Sequence, residues 1–307
     1  MSGNLVVVKQ LASHATAADD VEVVRRFSRF YAERIGALSE RYMGQHRPLA
    51  EARLLFEIGE LGRPLRELRA LLGLDSGYLA RLLRSLEEQG LVTVTVDPTD
   101  RRFRLARLTS QGRREVRVLN MRSDRFSQEL LAPLAAGDRA RLLEAMGTVQ
   151  RLLRRAAIRV DPVDPGSVDA RRCLLAYASE LQQRFPEGYQ ASDLVPVEYI
   201  RANGVCLVAR EADWPVACGV LRHLDDDTDE IKHLWVDPDA RGLGLSRVLL
   251  ADLETAARER GKVAVRLDTH RALTEAIALY HSAGYTKIPR YGSNRHAGLW
   301  FEKRIAP

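Results

Sequence analysis

Apolar residues recur along this chain with two different periods, and the switches between them outline its elements. From Asp20 to Met43 and from Leu49 to Glu60 the spacing is three and four residues, which predicts two amphipathic helices. A third helix is expected over Leu65–Leu72, with Leu65, Leu68, Leu71 and Leu72 on its apolar face. Gly73 to Gly77 read as a turn with Asp75 or Ser76 available as a cap, and Tyr78 to Gln89 as a helix burying Leu79, Leu82, Leu83 and Leu86. The period then changes to two. Gly90 to Val96 alternate as a strand, Asp97 to Arg102 turn, Phe103 to Leu108 return, and helical spacing resumes over Gln111–Ala132 and, past Pro133, over Ala136–Leu153.

Two Asp-Pro steps, at Asp161-Pro162 and Asp164-Pro165, interrupt the helical pattern and mark either a short linker or a first strand with its loop. Beyond them the elements alternate. A helix is expected over Ser167–Phe185, a hairpin from Val205–Arg210 and Pro215–His223, and a strand over Glu230–Val236. A helix with Leu245, Val248, Leu249 and Leu253 on one face follows, then a strand over Lys262–Thr269, a helix over Leu273–Ser282 and a last strand at Trp300–Lys303. A chain of 307 residues with this change of pattern predicts two domains, 1–156 mainly helical and 157–307 α/β.

Charge separates the halves as the pattern does. The net charge of +6 is unevenly placed, with 27 basic against 19 acidic residues in 1–156 and 20 against 22 in 157–307. An arginine-rich basic half is the electrostatic footprint of a nucleic-acid binder. The helices 65–72 and 78–89 with the turn between them have helix-turn-helix geometry, which leaves Ser76, Tyr78, Arg81 and Arg84 opposite the apolar face, suited to base edges and phosphates in a major groove. The hairpin after them reads as a wing, and Arg101 and Arg102 at its tip suit a narrow minor groove. With Asp100-Arg101-Arg102 followed by Leu108-Thr109 and Gly112, the segment from about Val21 to Leu153 resembles the MarR family of winged-helix regulators. That resemblance implies a homodimer through the terminal helices and a palindromic double-stranded DNA operator. The alternative left open is a first half that only dimerises.

The most informative segment is Glu230 to Ser246. An apolar strand, a stop at Pro238 and then Arg241, Gly242, Leu243, Gly244, Leu245 and Ser246 at a helix start read as a phosphate cradle, because a helix N-terminus offers free N–H groups and partial positive charge. Downstream, Ala278, Leu279 and Tyr280 precede Gly284 and Tyr285 at a helix stop. The two motifs in this order resemble the GCN5-related N-acetyltransferase (GNAT) family, with Ser246 standing where that family has Gly or Ala. The resemblance implies a mixed sheet splayed between the strands 231–236 and 262–269, with acetyl-coenzyme A in the opening and its pyrophosphate on Arg241 to Ser246. It also implies a thioester polarised by an amide within Leu234, Trp235 and Val236. Tyr280 would protonate the leaving thiolate, and Glu230, directly or through water, would take the proton of the amine.

Tyr189, Arg222, Arg290, Tyr291 and Asn294 are candidate walls for the acceptor, the arginines suiting a substrate with a carboxylate beside its amine. A small amino-acid-like metabolite is the expected acceptor, and a protein lysine the second choice. A domain that senses coenzyme A or an amine without turnover is the alternative. No apolar run reaches membrane-spanning length, and Leu5 to Val8 is too short for a signal peptide. Cys173, Cys206 and Cys218 are read as buried free thiols of a cytoplasmic protein, and the seven histidines lack ligand spacing, so no metal is expected.

Overall fold

The computed structural model describes residues 3–36, 47–96 and 104–305, with side chains from residue 19 onward. The chain forms two compact units, divided between Arg139 and Ala140. The first holds α1 (Gly3–Arg34), α2 (Leu49–Ile58), β1 (Arg63–Pro64), α3 (Leu65–Leu72), α4 (Ser76–Glu88), β2 (Val92–Val96), β3 (Arg104–Leu108) and α5 (Ser110–Leu131). Helix α1 begins well before Asp20 and ends at Arg34, short of the expected Met43, which itself lies outside the described residues.

Leu79, Leu82, Leu83 and Leu86 of α4 are buried against Leu54, Leu55 and Ile58 of α2 and Leu68 of α3, as the helical spacing requires. Helix α4 starts where Asp75 accepts a hydrogen bond from the Tyr78 amide at 2.8 Å. Replacing Asp75 by Ala is expected to cost about 1 kcal/mol of helix stability, read as roughly fivefold faster amide exchange in the first turn of α4. The strands order β1-β3-β2, and β1 has only two residues, too few for periodicity to reveal. At the base of the hairpin Thr109 caps α5 by accepting from the Gly112 amide at 3.0 Å. A Cβ on Gly112 would lie 2.0 Å from the Leu91 carbonyl oxygen, so the Thr-x-x-Gly spacing is a packing requirement of this corner.

The boundary falls inside α6 (Ala136–Ala157), and the second unit continues with β4 (Ile158–Pro162), α7 (Val168–Arg184), α8 (Val197–Asn203), β5 (Gly204–Glu211), β6 (Trp214–His223), β7 (Thr228–Val236), α9 (Leu245–Glu259), β8 (Ala264–Thr269), α10 (Thr274–Ser282), β9 (Thr286–Ile288) and β10 (Leu299–Arg304). The first Asp-Pro step therefore ends a strand, paired along β5 from Ile158↔Glu211 to Pro162↔Leu207, and the second lies in the loop after it. Seven strands order β4-β5-β6-β7-β8-β10-β9, antiparallel throughout except for β7 beside β8. Alternation places Leu207 and Ala209 with Leu249, Leu250 and Leu253 of α9, and Cys206 and Val208 with Cys173 and Leu174 of α7. The sheet is thus covered on both faces, and all three cysteines are buried and free. No described helix is long and apolar enough to cross a membrane.

One parting of strands positions everything that follows. β7 and β8 pair from Thr228↔Ala264 to Ile231↔Leu267 and no further, while β7 stays on β6 to Ala217↔Val236 and β8 stays on β10 to Leu299↔Thr269. The register on β6 shifts between Cys218 and Val220, opposite a His233 backbone with φ of 53°. Such a bulge re-aims a strand, and here β7 turns away from β8 where it occurs.

Candidate functional site

The wedge between β7 and β8 opens onto two adjoining cavities, of about 330 and 450 Å³. Tyr177 and Leu181 of α7, Leu234 of β7, and Leu273, Ala276 and Tyr280 at α10 line both. Leu234, Trp235, Val236, Arg241, Gly242, Gly244, Leu245 and Ser246 border the larger one. Leu243 does not: it is 4% exposed and anchors the turn in the core. Gly242 and Gly244 both have φ of 80°, a conformation that disfavours any side chain, and Gly244 caps α9. The first turn of a helix has no internal partners for its N–H groups, so the donors of this turn stand free for an anion.

Arg241 borders the larger cavity, but its amide is not free for an anion, since it donates to the Pro238 carbonyl at 3.3 Å. Its Nη2 donates to Glu180 of α7 at 2.6 Å and its Nε to the Val236 carbonyl at 3.2 Å. Glu180 also accepts from the Trp235 indole at 2.9 Å. Burial works against the Glu180 carboxylate, yet the bonds from Arg241 and Trp235 hold it below its ordinary range. This brace ties α7, β7 and the cradle together. A guanidinium that could meet a phosphate comes from elsewhere: Arg155 of α6 lies 3.8 Å from where a Cβ of Gly244 would be, and Arg247 lines the larger cavity.

Tyr280, 6% exposed, packs on Tyr285 and Phe301, with ring centroids 6.0 and 5.9 Å away. Burial pushes its phenol well up, and Asp268 adds to the shift, so it keeps its proton. Glu230, 1% exposed, borders the smaller cavity. Arg222 holds one carboxylate oxygen at 2.5 Å, the Tyr291 phenol donates to the other at 2.7 Å, and Lys232 stands 3.3 Å from the same oxygen. Lys232 also pairs with Asp268 at 2.6 Å.

The other expected wall residues separate. Tyr189, Arg222 and Asn294 border the smaller cavity, Asn294 donating to Asp268 at 2.9 Å. Tyr291 reaches it through Glu230, and burial pushes its phenol up. Arg290 is not among the lining residues: its Nε donates to the Gly292 carbonyl at 2.8 Å and its guanidinium lies over the Trp300 ring. Arg222 is committed to Glu230, so neither arginine stands free in the cavity for a substrate carboxylate. Sequence reasoning missed Tyr177, Glu180, Lys232, His233, Asp268 and His270 at this site. Lys232 and His233 lie within the singled-out strand and were legible there; Glu180 and Asp268 are brought in by packing alone.

In the first unit Ser76, Arg81 and Arg84 are exposed along α4, and Tyr78 is half-buried with the Arg81 guanidinium 5.4 Å above its ring. Arg101 and Arg102 lie outside the described residues.

Known proteins divide in the same way. Residues 174–285 match the Acetyltransferase (GNAT) family and residues 47–102 match the MarR family. An uncharacterised HTH-type transcriptional regulator of Bacillus subtilis is 31% identical over 97 residues, which cover 32% of this chain and 58% of that protein, so the chain spans little more than half of that relative's length. An acetyltransferase of Agrobacterium fabrum is 32% identical over 101 residues, covering 32% of this chain and 72% of that protein. A GNAT family acetyltransferase of Elizabethkingia anophelis, solved with acetyl-CoA bound, is 17% identical and covers 48% of this chain and 98% of its own, with a TM-score of 0.36. Through 174–285 the chain belongs to the GNAT acetyltransferase family, and its segment 47–102 matches the MarR family.

Proposed function

We propose that this chain is both a DNA-binding transcriptional regulator and an acetyl-CoA-dependent N-acetyltransferase of a primary amine, with 1–156 serving DNA binding and dimerisation and 157–307 the transfer. One observation carries the enzymatic reading: the β7–β8 wedge has a glycine turn with free donors on its larger cavity, a buried carboxylate on its smaller one, and Tyr280 on both. The residues fit the co-substrate, since the turn at Gly242 and Gly244 presents N–H groups at the start of a 15-residue helix. Acetyl-CoA supplies the acetyl group as a thioester.

Amides from Gly242 to Ser246 hold the pyrophosphate, and an amide within Leu234 to Val236 polarises the thioester carbonyl. As the amine nitrogen attacks and the carbon–sulfur bond breaks, Tyr280 gives its proton to sulfur. Glu230 takes the proton of the amine through water, because Arg222, Tyr291 and Lys232 already engage its oxygens. The smaller cavity, about 330 Å³, suits a small amine better than a protein tail. On the DNA side Ser76, Tyr78, Arg81 and Arg84 read the major groove, with Arg101 and Arg102 at the wing tip. Exposed Val24, Phe27 and Tyr31 on α1, three and four residues apart, supply an apolar stripe for the two-fold partner. The protein is assigned to the cytoplasm.

The test is release of coenzyme A thiol from acetyl-CoA with amino acids, polyamines, aromatic amines and lysine peptides as acceptors. Turnover with one class supports the enzyme; acetyl-CoA binding without any turnover assigns a sensor, and no binding defeats the cradle. Glu180→Gln is expected to raise the KM for acetyl-CoA about fivefold with kcat unchanged, because the brace on Arg241 weakens by about one hydrogen bond.

A further inference from the structure

A pyrophosphate linkage is ionised at neutral pH, so amide donors hold it best with a cation beside them. From Gly242 to Ser246 no backbone amide has a backbone acceptor among the described residues, which leaves the donors of the turn in place. The arginines bordering the same cavity are engaged elsewhere. Arg241 donates to Glu180, Arg184 pairs with Glu180 at 3.3 Å and with Glu275, and Arg247 donates to Ser282 at 3.0 Å.

Arg155, in the last turn of α6, differs from all three. It is exposed, and among the described residues no hydrogen bond or ion pair holds it. Gly244 borders the larger cavity and caps α9, and the Nη1 of Arg155 lies 3.8 Å from where a Cβ of Gly244 would be. Beyond the chain neighbours, no other described atom comes within 4 Å of that point. The open face of the glycine turn is therefore approached by one unengaged guanidinium, on a side chain free to rotate onto a phosphate.

The residue before it fixes the backbone from which it extends. Arg154 donates through Nε and Nη2 to Glu211 at 2.8 and 2.7 Å, and through Nη1 to the Asp239 carbonyl at 3.0 Å. Asp239 belongs to the short turn Pro238–Ala240 that leads into Arg241 and Gly242. The end of α6 is thus tied to the segment that runs into the cradle, which keeps Arg155 beside it.

We propose that Arg155 is a phosphate ligand of the co-substrate, its guanidinium closing on the pyrophosphate held by the amides of Gly242 to Ser246. The last turn of α6, outside the acetyltransferase match at 174–285, then belongs to the co-substrate site. This rests on reading the glycine turn as the acetyl-CoA site.

The test is calorimetric binding of coenzyme A and of dephospho-coenzyme A, which lacks the ribose phosphate but keeps the pyrophosphate, to the full-length parent, Arg155→Ala and Arg155→Lys. Arg155→Ala should weaken both ligands alike, by about 5- to 30-fold, with an unchanged melting temperature, and Arg155→Lys should recover part of the loss. Transfer from S-acetylpantetheine, which has no phosphate, should change less than about 2-fold in kcat/KM. Coenzyme A should slow amide exchange over residues 150–157 in the parent and not in Arg155→Ala. Equal affinity in parent and Arg155→Ala, a loss with coenzyme A that is absent with dephospho-coenzyme A, or an equal loss on S-acetylpantetheine would overturn the proposal. A parent that binds no coenzyme A defeats the cradle and this proposal together, whereas tight binding that survives Arg155→Ala defeats this one alone.

Discussion

Tyr280→Phe is expected to lower kcat by about 10²- to 10⁴-fold, the range for removing a positioned general acid, with the affinity for acetyl-CoA unchanged. The expectation depends on the phenol carrying a proton and lying beside both cavities. Burial pushes it up and keeps it protonated, and its position at the junction of the two cavities puts it within reach of a sulfur leaving one side for the other. Phenylalanine retains the ring that packs against Tyr285 and Phe301, so the fold and the wedge should survive the change. Single-turnover transfer with calorimetric binding of acetyl-CoA checks both halves. Unchanged transfer would mean that sulfur takes its proton from water, and a parallel loss of binding would mean that the ring, rather than the hydroxyl, matters.

Replacing Arg81 and Arg84 together by alanine is expected to weaken DNA binding about 30- to 10⁴-fold, from about 1–3 kcal/mol for each arginine lost. Both are exposed on α4, with Leu79, Leu82, Leu83 and Leu86 holding the opposite face in the core, so the change removes charge without touching packing. The salt slope of log affinity should become shallower by about two, because two phosphate neutralisations are lost. Duplexes selected from a random pool by the parent chain, titrated over a range of salt, provide the measurement. A loss of affinity with no change of slope would place the arginines on bases alone. No loss at all would assign the first unit to dimerisation, the alternative that periodicity leaves open.

What was legible in the sequence depended on whether the signal was local. The face of α4, the hairpin of β2 and β3, the cap and close packing at Thr109 and Gly112, and the glycine turn before α9 each depend on residues within a few positions of one another. Periodicity and turn chemistry report such features directly. Arg241 shows the limit: its amide reads as one of the free donors of the glycine turn, but it bonds the Pro238 carbonyl, and α7 packs so that Glu180 takes its guanidinium. Arg222 and Arg290 read alike as carboxylate partners, yet one is spent on Glu230 and the other lies over Trp300. The two-residue β1 is a strand only because β3 runs beside it.

The sequence by itself determined two domains of different class, the helical spacing of a winged helix-turn-helix, and a strand, glycine turn and helix in the order of a phosphate cradle, because these follow from backbone conformation and solvent-facing periodicity. Only the tertiary structure decided that β7 parts from β8 after Ile231, that Glu230 is clamped by Arg222 and Tyr291, and that Glu180 braces the cradle. Each of these joins residues distant in sequence, or fixes which bonds they leave unmade. Which charged or polar groups meet in a low-dielectric interior is settled by how the layers pack, and a one-dimensional pattern of apolar and polar positions carries no record of that choice.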